Sequence, residues 1–200
     1  MQSIIDSPRA TLAVGAAIAA AVLVVWLIAA GADGLALTAY LVRLGHVVAA
    51  MVWIGLIAFV NFVLLVALGT ADEASRSFLH KAVVPRVAWW FRHASTVTVI
   101  TGILLLILSG YLLPALVYGA GVFMPPARVL LLWGGVVAAL AMWMFVHMYM
   151  APSLEVIVGL RAGDAEAKAR ARRRIGRLAR VNLMLAAPVL LAMLAAAHLY

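Results

Sequence analysis

Five histidines carry most of the chemistry that this sequence offers, because it has no cysteine and its apolar stretches contain no Asp or Glu. The missing cysteines exclude disulfides, thiolate metal sites, iron–sulfur clusters and covalent c-type haem attachment. The missing carboxylates exclude paired-carboxylate catalysis, and no Ser-His-Asp or phosphate-loop motif occurs in the loops. No catalytic residue can be named, and any cofactor must be held by histidine, methionine or backbone atoms.

The composition is typical of an integral membrane protein. Of the 200 residues, 68% are hydrophobic and 11% are charged, whereas soluble domains have about 45–50% apolar and about 25% charged residues. The net charge of +8 is explained by basic loops that face anionic lipid. We therefore expect the lipid bilayer as a partner and no nucleic acid.

Five apolar stretches are long enough to cross a bilayer, which requires about 20 residues per helix. They predict an all-α integral membrane bundle of five transmembrane helices in a single domain, residues 1–200. The first stretch is interpreted as a retained helix, because no small-x-small cleavage pattern follows it. The predicted spans are 11–30, 45–68, 94–118, 129–150 and 181–200.

The basic residues predict the orientation of the bundle. They concentrate in the connections 69–92 and 161–180, which lie on the same side if five helices alternate. The positive-inside rule makes that side cytoplasmic, so the N-terminus is predicted to be cytoplasmic and the C-terminus periplasmic, in a bacterial inner membrane. The basic linker 161–180 is predicted to extend the fifth helix or to form a surface helix beside anionic lipid, with docking of a cytoplasmic partner as the alternative.

Four histidines sort into two pairs when they are placed by depth along the predicted spans. His46 and His198 form an outer pair, His93 and His147 form an inner pair, and His80 lies in the cytoplasmic connection. Two imidazoles from different helices can hold a b-type haem. We therefore expect one haem b, or two, with an interfacial or packing role as the alternative for each histidine.

Four methionines lie close to His147 in the sequence. A mixed His/Met site could suit haem or Cu(I), but methionine also fills irregular gaps in a core. We favour core filling and expect no copper. The methionines are Met142, Met144, Met148 and Met150.

Three segments resemble, in order, the N-terminal membrane domain of bacterial membrane-bound, cytochrome c-linked urate oxidases. They are RLGHVVAAMVWIG (43–55), AWWFRHASTVTVITGILLLIL (88–108) and NLMLAAPVLLAMLAAAHLY (182–200), of which the last is the most specific. The helix around His46 also resembles, more weakly, copper-resistance membrane proteins and a haem-binding protoporphyrinogen oxidase. The positions that the urate oxidase resemblance carries over are Arg43, His46, Trp53, Gly55, Asn182, Pro188 and His198.

The resemblance implies urate oxidation with electrons passed to a respiratory chain. Members of that family end in a c-type cytochrome domain, whose Cys-x-x-Cys-His motif does not occur in this sequence. His93 and His147 have no counterpart in the family pattern, so the inner pair depends on the depth argument alone. Pro188 is expected to kink the fifth helix.

Three functions follow as hypotheses. The first is a haem b electron-transfer protein that exchanges electrons with a cytochrome c or a respiratory partner. The second is a urate-oxidising membrane oxidoreductase that uses a separate cytochrome c. The third is an accessory or anchoring subunit of a larger respiratory or photosynthetic complex, without a cofactor of its own.

Overall fold

A computed structural model of the chain describes residues 6–31, 33–116 and 125–198. Every regular element in these residues is helical, and five helices are long and apolar enough to cross a membrane, which confirms the predicted all-α class and the predicted number of membrane-length helices. The helices are α1 (Pro8–Ala30), α2 (Gly34–Thr70), α3 (Glu73–Leu108), the short α4 (Leu112–Leu116), α5 (Pro126–Val158) and α6 (Ala165–His198).

Internal contacts divide the chain into two compact units, Met1–Leu41 and Val42–Tyr200, where the sequence predicts one domain. In the first unit the Ser7 hydroxyl accepts a hydrogen bond from the Ala10 N–H, which caps α1. None of the α1 residues is buried. The histidines all lie in the second unit.

Most of the membrane-length helices extend beyond the predicted spans. Hydropathy marks the residues that lie in hydrocarbon, whereas a helix continues for as long as its propensity and its caps allow. At the start of α3 the Asp72 carboxylate accepts a hydrogen bond of 2.7 Å from the Ser75 N–H. A hydrogen bond from the Ser75 side chain, and then this backbone bond, lower the pKa of Asp72. The basic linker is helical from Ala165 and continuous with the last span, which is the first of the two predicted forms.

The predicted span 94–118 is wrong beyond Leu108. Gly110 has a φ of 71°, and the Tyr111 N–H donates to the Leu106 carbonyl at 2.9 Å. This pattern is a Schellman motif, which ends a helix because glycine accepts the left-handed conformation at little cost. The rest of the predicted span, 117–118, and most of the Gly/Pro loop 119–126 lie outside the described residues, as do residues 199–200.

The two basic connections lie at the same end of the second unit. The charges of Arg76 and Arg172, one from each connection, both act on His80. Arg76 also donates hydrogen bonds to the Leu68 and Ala71 carbonyls. We call this end the basic end.

The core of the second unit forms where α2, α3, α5 and α6 meet. Trp53 and Ile57 of α2 are 2% and 1% exposed, and Met142 of α5 is 0% exposed. This burial supports core filling for that methionine. The other buried members of the cluster are Val60, Leu64, Phe91, Ala94, Val146, Ala179, Ala186 and Val189.

Small residues let α5 and α6 approach closely. A Cβ atom added to Gly135 would lie 3.0 Å from Met193 Cε and 3.3 Å from Ala192 Cβ. Helices in membranes associate through such close van der Waals contact, because lipid supplies no hydrophobic drive between them.

Gly135→Val should therefore push α5 and α6 apart and lower the free energy of unfolding by about 1–3 kcal/mol. Gly134→Val is the matched control, since a Cβ at Gly134 meets no atom within 4 Å. Thermal unfolding of both variants in detergent measures the difference. Equal destabilisation would show that helix propensity, and not packing, sets the loss.

Candidate functional site

His46 lies on the buried face of α2 and contacts α3. Its Nδ1 atom is 2.9 Å from the Thr98 carbonyl oxygen and 3.1 Å from Thr101 Oγ1. The imidazole also packs against Gly102, where an added Cβ would lie 3.1 Å from His46 Cε1. Glycine at this position gives the ring the room to approach the α3 backbone.

These contacts assign the tautomer of His46. A carbonyl oxygen only accepts, so Nδ1 carries the proton and donates it. The Thr101 hydroxyl donates to the Val97 carbonyl at 2.6 Å, which leaves its oxygen free to accept from His46. The neutral ring therefore keeps its lone pair on Nε2, and no hydrogen bond to Nε2 occurs in residues 6–31, 33–116 and 125–198. Metal-binding histidines are commonly held in this way, with the other ring nitrogen donating to a carbonyl.

His147 lies inside a π-helical turn of α5 (Phe145–Met150) and has a different arrangement. Its Nδ1 donates to the Trp143 carbonyl at 3.0 Å, so Nε2 accepts the Thr96 hydroxyl at 3.1 Å. The Trp143 indole N–H donates to the same Thr96 oxygen at 3.2 Å. Both ring nitrogens of His147 are thus occupied.

His93 is exposed on α3 and packs within its own helix. Its ring stacks on Trp89 with centroids 4.0 Å apart, and Nδ1 donates to the Trp89 carbonyl at 2.7 Å. No hydrogen bond or ring contact joins it to His147 in the described part of the chain. The inner pair stays a prediction.

His198 is the last residue of α6 and is exposed. Two residues before it, the Ala196 carbonyl accepts a hydrogen bond of 2.9 Å from Arg128 Nε, which ties this end of α6 to α5. The contacts of His46 are instead with α3, and none to His198 occurs within the described residues. The outer pair also stays a prediction.

His46 and His147 contact α3 between Thr96 and Gly102, which lie about 9 Å apart along the helix axis. Their predicted depths in the bilayer stay a prediction. His46 and His147 also contact nearly opposite sides of α3, since Thr96 and Thr98 are about 200° apart around the helix.

Two buried side chains that the resemblance singles out have polar atoms without a partner. Trp53 Nε1 of α2 and both polar atoms of the Asn182 amide of α6 make no hydrogen bond within the described chain. Asn182 is 0% exposed. Buried groups of this kind are normally satisfied by water or a bound group, because an unpaired one costs about 1–3 kcal/mol.

Of the other positions carried over, Arg43, Gly55 and Pro188 are all exposed. A Cβ at Gly55 would meet no atom within 4 Å, so packing does not require glycine there. α6 continues through Pro188 as a helix, and the kink stays a prediction.

The polar residues that join the helices were not predicted from the sequence. Asn61 donates from Nδ2 to the Ile57 carbonyl at 2.9 Å and to the Ala179 carbonyl at 3.0 Å, which links α2 to α6. Thr96, Thr98 and Thr101 provide the α3 contacts described above. The sequence feature that could have indicated them is the presence of one asparagine and several threonines inside apolar spans, where polar side chains need partners.

No protein-family model, curated protein or solved structure matches this chain.

Thr96→Val should break the hydrogen-bonded group of Thr96, Trp143 and His147 and lower the free energy of unfolding by about 1 kcal/mol. Thr70→Val is a suitable control, because the exposed Thr70 hydroxyl donates only to carbonyls of its own helix. Thermal unfolding in detergent compares the two. A loss no larger than that of the control would mean that this group does not hold α3 to α5.

Proposed function

We propose that this chain is an integral membrane protein that binds haem b and transfers electrons, with His46 as one axial ligand. The observation that carries the proposal is the His46 imidazole, which donates from Nδ1 to the α3 backbone at 2.9 Å and packs against Gly102. This arrangement holds the ring in the tautomer that presents Nε2 to a metal.

Among the described histidines, His46 has the contacts best suited to a ligand. His147 would have to give up the Thr96 hydroxyl before Nε2 could bind iron. His93 is anchored only to its own helix and is exposed. His46, in contrast, is half-buried between two helices.

Buried polar atoms without partners support a bound group in the interior. Trp53 lies two turns after His46 on the same face of α2, since seven residues return to nearly the same side of a helix. Its indole N–H and the amide of Asn182 would be satisfied by a ligand that accepts and donates hydrogen bonds. The two haem carboxylates only accept hydrogen bonds, so they could pair with the Trp53 N–H and the Asn182 Nδ2 but not with Asn182 Oδ1.

The second axial ligand that we propose is His198, the position that the urate oxidase resemblance carries over. A second haem held by His93 and His147 remains part of the hypothesis. Its support is weaker, because the Thr96 hydroxyl occupies Nε2 of His147 and His93 is exposed. When bound, haem b would supply a one-electron carrier in the membrane. The chain's own residues orient it and exclude water from it.

The proposed setting is the bacterial inner membrane, with the basic end in the cytoplasm. The arginines gathered at that end support this orientation through the positive-inside rule. The proposed electron partner is a cytochrome c or a respiratory complex.

His46→Ala should abolish one b-type haem per chain. The measurement is a pyridine haemochrome assay with a reduced-minus-oxidised spectrum on protein purified in detergent. His198→Ala should abolish the same low-spin spectrum, whereas the control His80→Ala should retain it. Full haem content in His46→Ala would disprove the proposed ligand.

Gly102→Val should lower haem content without removing a ligand, because the new side chain would collide with the His46 ring. Gly69→Val is the control, since a Cβ at Gly69 meets no atom within 4 Å. The measurement compares the haem-to-protein ratio of the two purified variants. If the two ratios are the same, the contact with α3 does not position His46.

Two alternatives remain as proposals. A urate-oxidising enzyme would make membranes that carry the protein reduce added cytochrome c when urate is supplied. An accessory subunit would co-purify with its complex in fixed stoichiometry and without haem.

A further inference from the structure

We propose that an arginine-lined cleft at the basic end binds the headgroup of a phospholipid that carries two phosphates. This inference concerns a site that takes no part in haem binding. The cleft lies between the end of the π-helical turn of α5 and the N-terminal half of α6. It has a volume of about 410 Å³ and is lined by Tyr149, Arg170, Arg173, Arg174, Arg177 and Leu178.

The four arginines form one stripe along α6. Their spacing of three, four and seven residues places them on the same side of the helix. Helices rarely gather like charges in this way, because neighbours at this spacing repel one another. A bound anion would relieve the repulsion.

Most of the positive charge in the cleft is not neutralised by the chain. Arg170 forms an ion pair with Glu166. Arg173, Arg174 and Arg177 have no carboxylate partner within the described residues. Guanidinium groups bind phosphate oxygens through two parallel hydrogen bonds, so this cleft is chemically suited to phosphate.

A second, smaller cleft supports a ligand with two phosphates. It has a volume of about 200 Å³ and shares Arg170 and Arg174 with the first, so these two arginines lie between the two spaces. Ser153 and Arg161 also line it. A headgroup that bridges two phosphates could occupy both clefts.

The surroundings indicate a lipid rather than a soluble anion. Tyr149 and Met148 are 43% and 62% exposed on the adjoining surface of α5. Tyrosine is enriched at the level of the headgroups, and exposed apolar side chains beside it fit acyl chains. Basic pockets between membrane helices are known sites for lipids with two phosphates.

The test measures binding of cardiolipin with four oleoyl chains to the detergent-purified full chain by native mass spectrometry. Arg173→Gln with Arg177→Gln removes two charges from the cleft. Arg172→Gln with Arg180→Gln is the matched control, because it removes the same charge from exposed positions of α6 that do not line either cleft. Haem content measured on the same samples reports on the separate haem proposal.

We expect the cleft variant to raise the dissociation constant by about fivefold for each arginine, or roughly 25-fold in total. The control should change it less than about twofold. An equal loss in both variants would overturn the proposal, since it would show attraction by net charge alone.

Two further probes distinguish the ligand. Dioleoylphosphatidylglycerol at the same phosphate concentration should bind more weakly than cardiolipin, and equal binding would overturn the requirement for two phosphates. Inorganic pyrophosphate should fail to displace the lipid. Displacement by pyrophosphate at equal concentration would show that the cleft takes a soluble anion.

Discussion

The close approach of α5 and α6 is the contact on which the rest of the second unit depends. In hydrocarbon, two helices gain little from apolar surface as such and must gain from atoms in direct contact. Gly135 provides that contact, and the buried face of α6 is built largely from alanines such as Ala179 and Ala186. The same face carries Asn182, and the same helix continues into the stripe of arginines at the basic end.

Polar groups then connect the remaining helices at a few points. α3 has this role on two sides: one side receives His46 from α2, and the opposite side receives His147 and Trp143 from α5. The Thr101 oxygen can accept from His46 because its hydroxyl donates to the Val97 carbonyl of its own helix at 2.6 Å, whereas the Thr96 hydroxyl donates to His147. An interior that excludes water makes each such bond necessary, since no solvent is present to replace it.

The number of membrane-length helices and the helical form of the basic linker could be predicted from the sequence, because hydropathy and helix propensity act locally. The helix ends could not be predicted in the same way. A hydropathy window locates apolar residues but not the caps, so α5 continues to Val158, whereas the predicted span ends at Met150. The partners of His46 depend on which helices adjoin, which a single sequence does not encode in any local pattern.

The length of the helices determines how much of each one fits within the membrane. α3, α5 and α6 contain 36, 33 and 34 residues, so each is about 50 Å long, whereas the hydrocarbon layer is about 30 Å thick. About 20 Å of each helix must therefore project into the headgroups or the water, or be taken up by tilt. A thicker bilayer would cover more of these extra turns and a thinner one would expose more of them to water, while the backbone hydrogen bonds within each helix would stay intact.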